Sequence, residues 1–289
     1  MKLDFDKVTL NNCKNNTIFT IVNKGYIDIA RNFIQRLKEL NMFQGMLFIC
    51  TDKASYEYFS NDTYIQVLQQ NTESIVQEFV EWKDKEYHDL VFNKFDITKQ
   101  VLDKAKELNI DRVLYLDTDI WFFKNFEEDL FNLVNEKYFY SDIILQDGEN
   151  YRLCPEPIEQ TYENGVFKKN RASVRYCTGF MIMKPSDKTS RLFDYKNNQN
   201  VDFNKFVGNQ PFLNKVIQFE PDVNVLNLDR ALGVNGSLFN DEKAVERLTE
   251  DESKKAVEAI SSSAWFLHYT YCKGTDKLLK MKSHNHWII

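Results

Sequence analysis

Asp117 and Asp119 stand one residue apart in the run RVLYLDTDIWFF, residues 112–123. Four apolar residues, Val113, Leu114, Tyr115 and Leu116, precede the pair, and Ile120, Trp121, Phe122 and Phe123 follow it. Burying carboxylates among aromatics is costly unless something positive meets them. On an extended segment alternate side chains point to one side, so the two carboxylates are expected to converge, with Thr118 turned away. Two convergent carboxylates suit a hard divalent cation, Mg²⁺ or Mn²⁺, which also takes oxygens from a diphosphate. The plain alternative is a strand cap or a salt bridge. The apolar flanks on both sides favour the cation.

Such a pair needs a scaffold, and the apolar pattern supplies one. TIFTIVN (17–23) and GMLFICTD (45–52) read as buried strands, and YIQVLQ (64–69) as a weaker one. Between them, Ile29, Phe33, Ile34, Leu37 and Leu40 fall on one helical stripe, and ASYEYF begins a short helix. From about Asp89 to Leu108 the pattern is helical again and leads into the strand DRVLYLD. Strands alternating with helices of this length predict an α/β fold with a mostly parallel sheet covered on both faces. The pair then lies at the carboxyl end of a strand, where ligands of such folds bind.

The second half is more mixed. YSDIILQD (140–147), RYCTGFMIMKP (175–185), DVNVLNLD and AWFLHYTY (264–271) read as strands, while NQPFLNKVI (209–217), DEKAVERLTEDESKKAVEAI and TDKLLKMK read as helices. Asn209 is a candidate N-cap. Residues 148–174 form a polar stretch with Pro155 and Pro157, read as a long loop of the kind that borders active sites. With neither repeats nor a low-complexity linker, the chain reads as one domain over 1–289.

A net charge of −6 and a pI near 5.4 argue against a nucleic-acid partner. Five cysteines, odd in number and without a CxxC pair, suggest reduced thiols and a cytoplasmic setting. There is no run long and apolar enough for a membrane span and no signal-peptide core.

VLYLDTDIWFFKNF resembles the DxD segment of the nucleotide-diphospho-sugar transferase family, glycosyltransferases of the GT-A fold typified by plant xylosyl-, arabinosyl- and galactosyltransferases. FTIVNKGYIDIARNFIQRLKEL, FNKFDITKQVLDKAKELNIDRVLYLDTD, CTGFMIMKPS, NQPFLNKVI and WFLHYTYCKGTDKLLKMKSHNHW resemble further blocks of that family, in order. The likeness is poor over roughly 148–174. It implies a GT-A (Rossmann-like) domain, with about 15–147 binding the nucleotide sugar and about 148–289 facing the acceptor.

The resemblance also implies roles. His268 would complete a metal site with Asp117 and Asp119, and Gly274 and Lys277 would lie against the diphosphate. The chemistry is sensible, since neutral imidazole ligates Mn²⁺ and a lysine at a helix N-terminus adds charge where the dipole favours anions. The alternative for His268 is a core histidine bonded to backbone. His284 and His286, in the polar KSHNHW, are expected to be exposed. Val22, Asn23, Lys24 and Tyr26, after the first strand, are candidates for holding base and ribose, with Tyr26 stacking or packing on the next helix. Lys94, read as preceding a helix, occupies a position the family often gives to Arg or Lys near the diphosphate. Thr118 falls between the two metal ligands. The residue beneath the sugar would come from Asn209, Gln210, Asp147 or Gln146. Relatives frequently carry Asp-Gln where this chain has Asn209-Gln210, which removes a carboxylate. If the reaction inverts rather than retains, Asp147 is the candidate base.

The expected function is transfer of a sugar from a nucleotide diphosphate, with a UDP-sugar as donor, to a hydroxyl of a glycan or glycoprotein. Two rivals share the motif. Haloacid-dehalogenase-type phosphatases also open on hhhhDxDx, but on their first strand and with Thr or Val where Trp121 stands. A non-catalytic sugar-nucleotide or glycan-binding module has less use for a complete metal constellation.

Overall fold

Ile18, Phe19 and Val22 of the first strand, β1 (Asn16–Val22), are fully buried on alternate and adjacent positions alike. Only a sheet covered on both faces allows that. The computed structural model describes residues 2–70, 85–148, 160–163, 166–169, 176–206, 208–236, 248–270 and 274–289. Within them β1 pairs in parallel with β2 (Leu47–Cys50) on one side and with β4 (Arg112–Leu116) on the other. β3 (Gln66–Gln69), β6 (Ile143–Asp147), β9 (Tyr176–Met183) and β10 (Val225–Asn227) complete a seven-stranded sheet in the order β10-β6-β9-β4-β1-β2-β3. β9 runs antiparallel to β4 and β6, and the other neighbours are parallel. The strand order reverses between β1 and β4, which opens a crevice at their carboxyl ends.

Helices cover both faces. α1 (Ile27–Leu40) and α4 (Glu127–Glu136) share one core layer, with Phe33, Leu37, Leu130 and Val134 packed on Phe48 and Phe122. α3 (Lys85–Glu107) and α6 (Asn209–Phe219) share the other, where Phe95 meets the rings of Phe92, Phe193 and Phe212. Each fully buried aromatic of this kind contributes roughly 1.5–3 kcal/mol of transfer free energy. α2 (Lys53–Phe59) starts at an Asp52 cap, and α5 (Asp187–Arg191) at a Ser186 cap.

A second sheet changes the reading of the motif. β5 (Ile120–Phe122), β11 (Gly233–Asn235) and β12 (Phe266–His268) form a three-stranded sheet in the order β11-β12-β5. The apolar run therefore divides between two sheets. Residues 117–119 form the turn between them, so the carboxylates converge across a turn and not along one extended strand.

Part of the polar 148–174 stretch is an antiparallel pair, β7 (Gln160–Glu163) against β8 (Val166–Lys169), and the sequence between them is Asn-Gly, a pair that signals tight turns. The rest of that stretch lies outside the described residues, as do Cys154 and Cys272. α7 (Glu250–Ser261) opens on a Thr249/Glu252 capping box, and α8 spans Gly274–Ser283. The helical reading of 241–247 falls outside the described residues. No helix among the described residues is long and apolar enough to cross a membrane.

Candidate active site

Asp117 follows the last residue of β4, and Asp119 precedes the first of β5. The turn is tied on both sides, by Asp117 N–H to Gly179 O (2.7 Å) and by Tyr269 N–H to Asp119 O (3.0 Å). Each carboxylate then divides its two oxygens. Asp117 Oδ1 accepts from Lys94 Nζ at 3.0 Å and from the Tyr115 hydroxyl at 2.5 Å, which leaves Oδ2 3.6 Å from His268 Nε2. Asp119 Oδ2 accepts from Lys277 Nζ at 2.5 Å, and Oδ1 lies 3.1 Å from the same His268 Nε2. The ligand atoms of Asp117, Asp119 and His268 all fall within 4.8 Å of one another. The structure thus brings together five residues singled out from sequence: Lys94, Asp117, Asp119, His268 and Lys277.

Lys94 does not precede a helix; it lies inside α3. Its ammonium also donates to Thr178 O at 2.7 Å and sits 4.0 Å over the Tyr115 ring. Lys277 stands in the first turn of α8, whose first residue is Gly274, and its Nζ lies 5.5 Å from the Tyr26 ring. That contact joins the β1 loop to the cluster.

One residue of the site has no chemistry of its own. A Cβ on Gly179 would stand 1.9 Å from His268 Cε1 and 2.7 Å from Asp117 Oδ2. Only glycine lets the imidazole and the carboxylate approach across β9. In the sequence it is one glycine in CTGFMIM, and the side chain it makes room for is 89 positions later.

The charges explain why so polar a cluster is tolerated in the interior. Burial raises the pKa of Asp119, but Lys277 and His268 outweigh it and hold the carboxyl well below its usual range. Burial pushes His268 down, yet Asp119 reverses this and lifts the imidazole to about 10. Lys277 is likewise held above the ordinary lysine range, Asp119 overcoming desolvation. Two carboxylates and two ammonium groups cancel. Two carboxylate oxygens and an imidazole nitrogen are a donor set that fits Mn²⁺ or Mg²⁺, which would compete with a proton for Nε2. With neutral His268, a divalent cation there would leave the cluster net positive, as a diphosphate requires.

Other candidates separate. Val22 has its side chain in the core and its carbonyl bonded to Thr51 N–H (2.9 Å), so neither is left to hold a nucleotide. Asn23 is buried and its Oδ1 makes no hydrogen bond. Lys24 is exposed, and its N–H donates to Asp52 Oδ2 at 2.6 Å. Asp52, which also caps α2, was not singled out from sequence. Thr118 is buried in the turn.

On the far side of β9, Asp147 is buried and paired with Arg230 Nε, while Asn235 Nδ2 donates to its carbonyl at 3.1 Å. Asn209 is the first residue of α6, not its cap, which is Gly208. Gln210 follows it. Asn214, unmarked by the sequence, bonds Tyr176 N (2.6 Å), Tyr176 O (2.8 Å) and Gln210 O (2.8 Å), and so ties α6 to β9 opposite Asp147. Gln146 is fully buried, with its amide bonded to His268 and to β11, and so does not lie beneath a sugar.

His284 and His286 are buried, against expectation. Both Nδ1 atoms meet the Tyr269 hydroxyl, at 2.9 and 2.7 Å. His284 Nε2 lies 2.8 Å from Ser253 Oγ, and His286 stacks on Trp121 at 4.6 Å and 8°. Partners supplied by distant elements, invisible in KSHNHW itself, draw both rings inside.

A family profile described as nucleotide-diphospho-sugar transferase matches residues 41–282. The chain belongs to that family. It is a glycosyltransferase, and the phosphatase rival falls away: Asp117 follows the fourth strand among the described residues, not the first. Among solved structures, the transferase is similar to the apo bifunctional glycosyltransferase WbbM, at 8% identity and a TM-score of 0.51, over 93% of this chain and 51% of that one. The likeness shows the fold, an α/β sheet of the GT-A type. A glycosyltransferase involved in glycosylation of the major capsid of PBCV-1 aligns at 12% identity over 91% of this chain and 97% of that one, with a TM-score of 0.49. Mouse xyloside xylosyltransferase 1 in its apo form aligns at 13% over 87% and 96%, with a TM-score of 0.46. No curated protein sequence matches the transferase.

Proposed function

We propose that this glycosyltransferase draws its sugar from a UDP-sugar, with a divalent cation, Mn²⁺ or Mg²⁺, held by Asp117, Asp119 and His268. The observation that carries the reading is the convergence of those three ligand atoms within 4.8 Å, beside two buried lysines. When bound, the cation supplies Lewis-acid stabilisation to the departing nucleoside diphosphate. Lys277, at the start of α8, adds charge where the helix dipole also favours an anion, and Gly274 lets backbone approach the phosphates. Lys94 holds Asp117 in orientation and adds a second positive charge at the same wall. The unpartnered Asn23 Oδ1 and the Tyr26 ring, with Lys24 at the rim, suit the ribose and base.

Asn209, Gln210 and Asp147 border the position of the sugar in this reading. With Asn209 in place of a carboxylate, Gln210 is the group beneath the sugar in a retaining transfer, and the acceptor is a hydroxyl of a glycan or glycoprotein. Residues of about 15–147 form the donor half and those of about 148–289 the acceptor half of one domain. Widely spaced cysteines, with Cys13, Cys50 and Cys177 unpaired, support a cytoplasmic setting.

Thermal melting against a panel of nucleoside diphosphates, with and without Mn²⁺, tests the donor site. A nucleotide at a hundred times its dissociation constant stabilises by about 2.7 kcal/mol. A Mn²⁺-dependent rise with UDP, absent in Asp119→Ala, is expected. No rise with any nucleoside diphosphate in Mn²⁺ overturns the reading.

A further inference from the structure

We infer that Gln146 is a positioning residue for the cation site, which fixes His268 in the tautomer that presents the Nε2 lone pair to the cation. The inference rests on the metal reading above. The argument is one of donors and acceptors. The side-chain amide of Gln146, fully buried at the end of β6, has two ends, and its surroundings decide which points where. Nε2 lies 3.1 Å from Val234 O and 3.4 Å from Gly233 O. Carbonyl oxygens only accept, so the amide NH₂ must face them. Oε1 is then the end that meets His268 Nδ1, at 2.8 Å.

An amide oxygen also only accepts, so Nδ1 must carry the hydrogen. The ring's second nitrogen, Nε2, is the one that faces Asp119 and Asp117. The reverse tautomer would set an Nδ1 lone pair against Oε1. Flipping the amide would set Oε1 against two carbonyl oxygens and leave buried groups unpaired. Cys177 Sγ, 3.6 Å from Nδ1, is a far weaker acceptor and does not change the choice.

The clamp also joins the two sheets. Gln146 belongs to the seven-stranded sheet, its anchoring carbonyls to β11, and the ring to β12, which pairs with β11. Metal-bound histidines commonly donate their other N–H to such a partner, whose loss weakens metal binding about 10–100-fold.

The experiment compares wild type with Gln146→Met, which keeps length but can neither accept nor donate in this way, and Gln146→Glu. A protonated glutamate reproduces the same pattern, with its hydroxyl toward Val234 O and its carbonyl toward Nδ1–H. Mn²⁺ affinity is read by electron paramagnetic resonance, and the His268 tautomer by ¹⁵N NMR of the Mg²⁺-loaded wild type. Expected are Mn²⁺ binding about 10–100-fold weaker in Gln146→Met and largely restored in Gln146→Glu, with Nδ1–H in wild type. A Gln146→Met protein that melts lower yet binds Mn²⁺ like wild type makes the residue a strut between sheets and overturns the inference. An Nε2–H tautomer in the Mg²⁺-loaded wild type overturns it without any variant. Failure of wild type to bind either ion overturns the metal reading itself, a separate result.

Discussion

His268 and the pair His284/His286 lie on either side of Tyr269's contacts, all buried, and they titrate in opposite directions. His268 is lifted to about 10, while His284 falls to about 4 and His286 to about 3. Burial pushes all three down. What differs is the company: Asp119 faces His268, whereas His284 and His286 share a neutral hydroxyl and see Lys280 and Arg36 nearby. Desolvation alone builds a neutral aromatic strut, and desolvation with a carboxylate builds a place for positive charge. The two lysines, by taking one oxygen from each aspartate, aim the other oxygens at His268.

Removing the carboxylate should break the contrast most severely. Asp119→Ala leaves Lys277 buried without its partner, which is expected to cost about 3–5 kcal/mol in urea unfolding and to abolish sugar transfer. By NMR titration, His268 in this variant should join the lowered group. A His268 that still titrates above neutrality would sink the account of its charge.

Next in size is Gly179→Ala. The added methyl must displace His268 or Asp117, at a cost of about 1–3 kcal/mol from overpacking and about a hundredfold in transfer rate from misplacement. An unchanged rate would mean that the imidazole has room the structure does not show. Tyr269→Phe acts on the other side of the comparison. It strips the shared hydroxyl from two buried rings and should cost about 1–3 kcal/mol while leaving Mn²⁺ affinity intact. A loss of affinity instead would couple the strut to the cation site.

The gentlest test is stability of the metal-free protein against pH. Folded His284 and His286 bind protons less readily than unfolded ones, so between about pH 3–4 and the unfolded value near 6.5 stability should rise with pH. Folded His268 binds its proton more tightly, so its contribution is full below 6.5 and is lost as pH climbs to about 10. Each proton contributes a slope of at most about 1.4 kcal/mol per pH unit. Saturating Mn²⁺, which takes the proton's place on Nε2, should flatten the alkaline limb and steepen the acid one.

The first half of the fold was legible because its signals are local. The α1 stripe, the buried strands β1, β2 and β4, and the aspartate pair each announce themselves within a dozen residues. The hairpin β7–β8 was also signalled, by Asn-Gly, but was submerged in a polar stretch. β5 and β11, three residues each, are too short for any period to show. The parts of the site that the sequence leaves unmarked, or marks for another role, are those that exist only through distance. Gly179 matters because of a ring 89 positions on, Gln146 because of one 122 positions on, and His284 and His286 because of Ser253, Tyr269 and Trp121. Lys94 and Lys277 are marked by the family resemblance, while their division of the carboxylate oxygens exists only in three dimensions.

The separation of 158 positions between Asp119 and Lys277 also has a consequence for the order of synthesis. By the time residue 227 is made, every strand of the seven-stranded sheet exists, while His268 and Lys277 do not. At roughly 5–20 residues per second, the acidic turn waits about 8–30 s for its cationic partners. During that interval the nascent chain holds one carboxylate that Lys94 can already answer and another that nothing answers. The loop between β4 and β5 must therefore stay wet and open on the ribosome, and the dry interior around Asp119 is among the last parts of the protein to form.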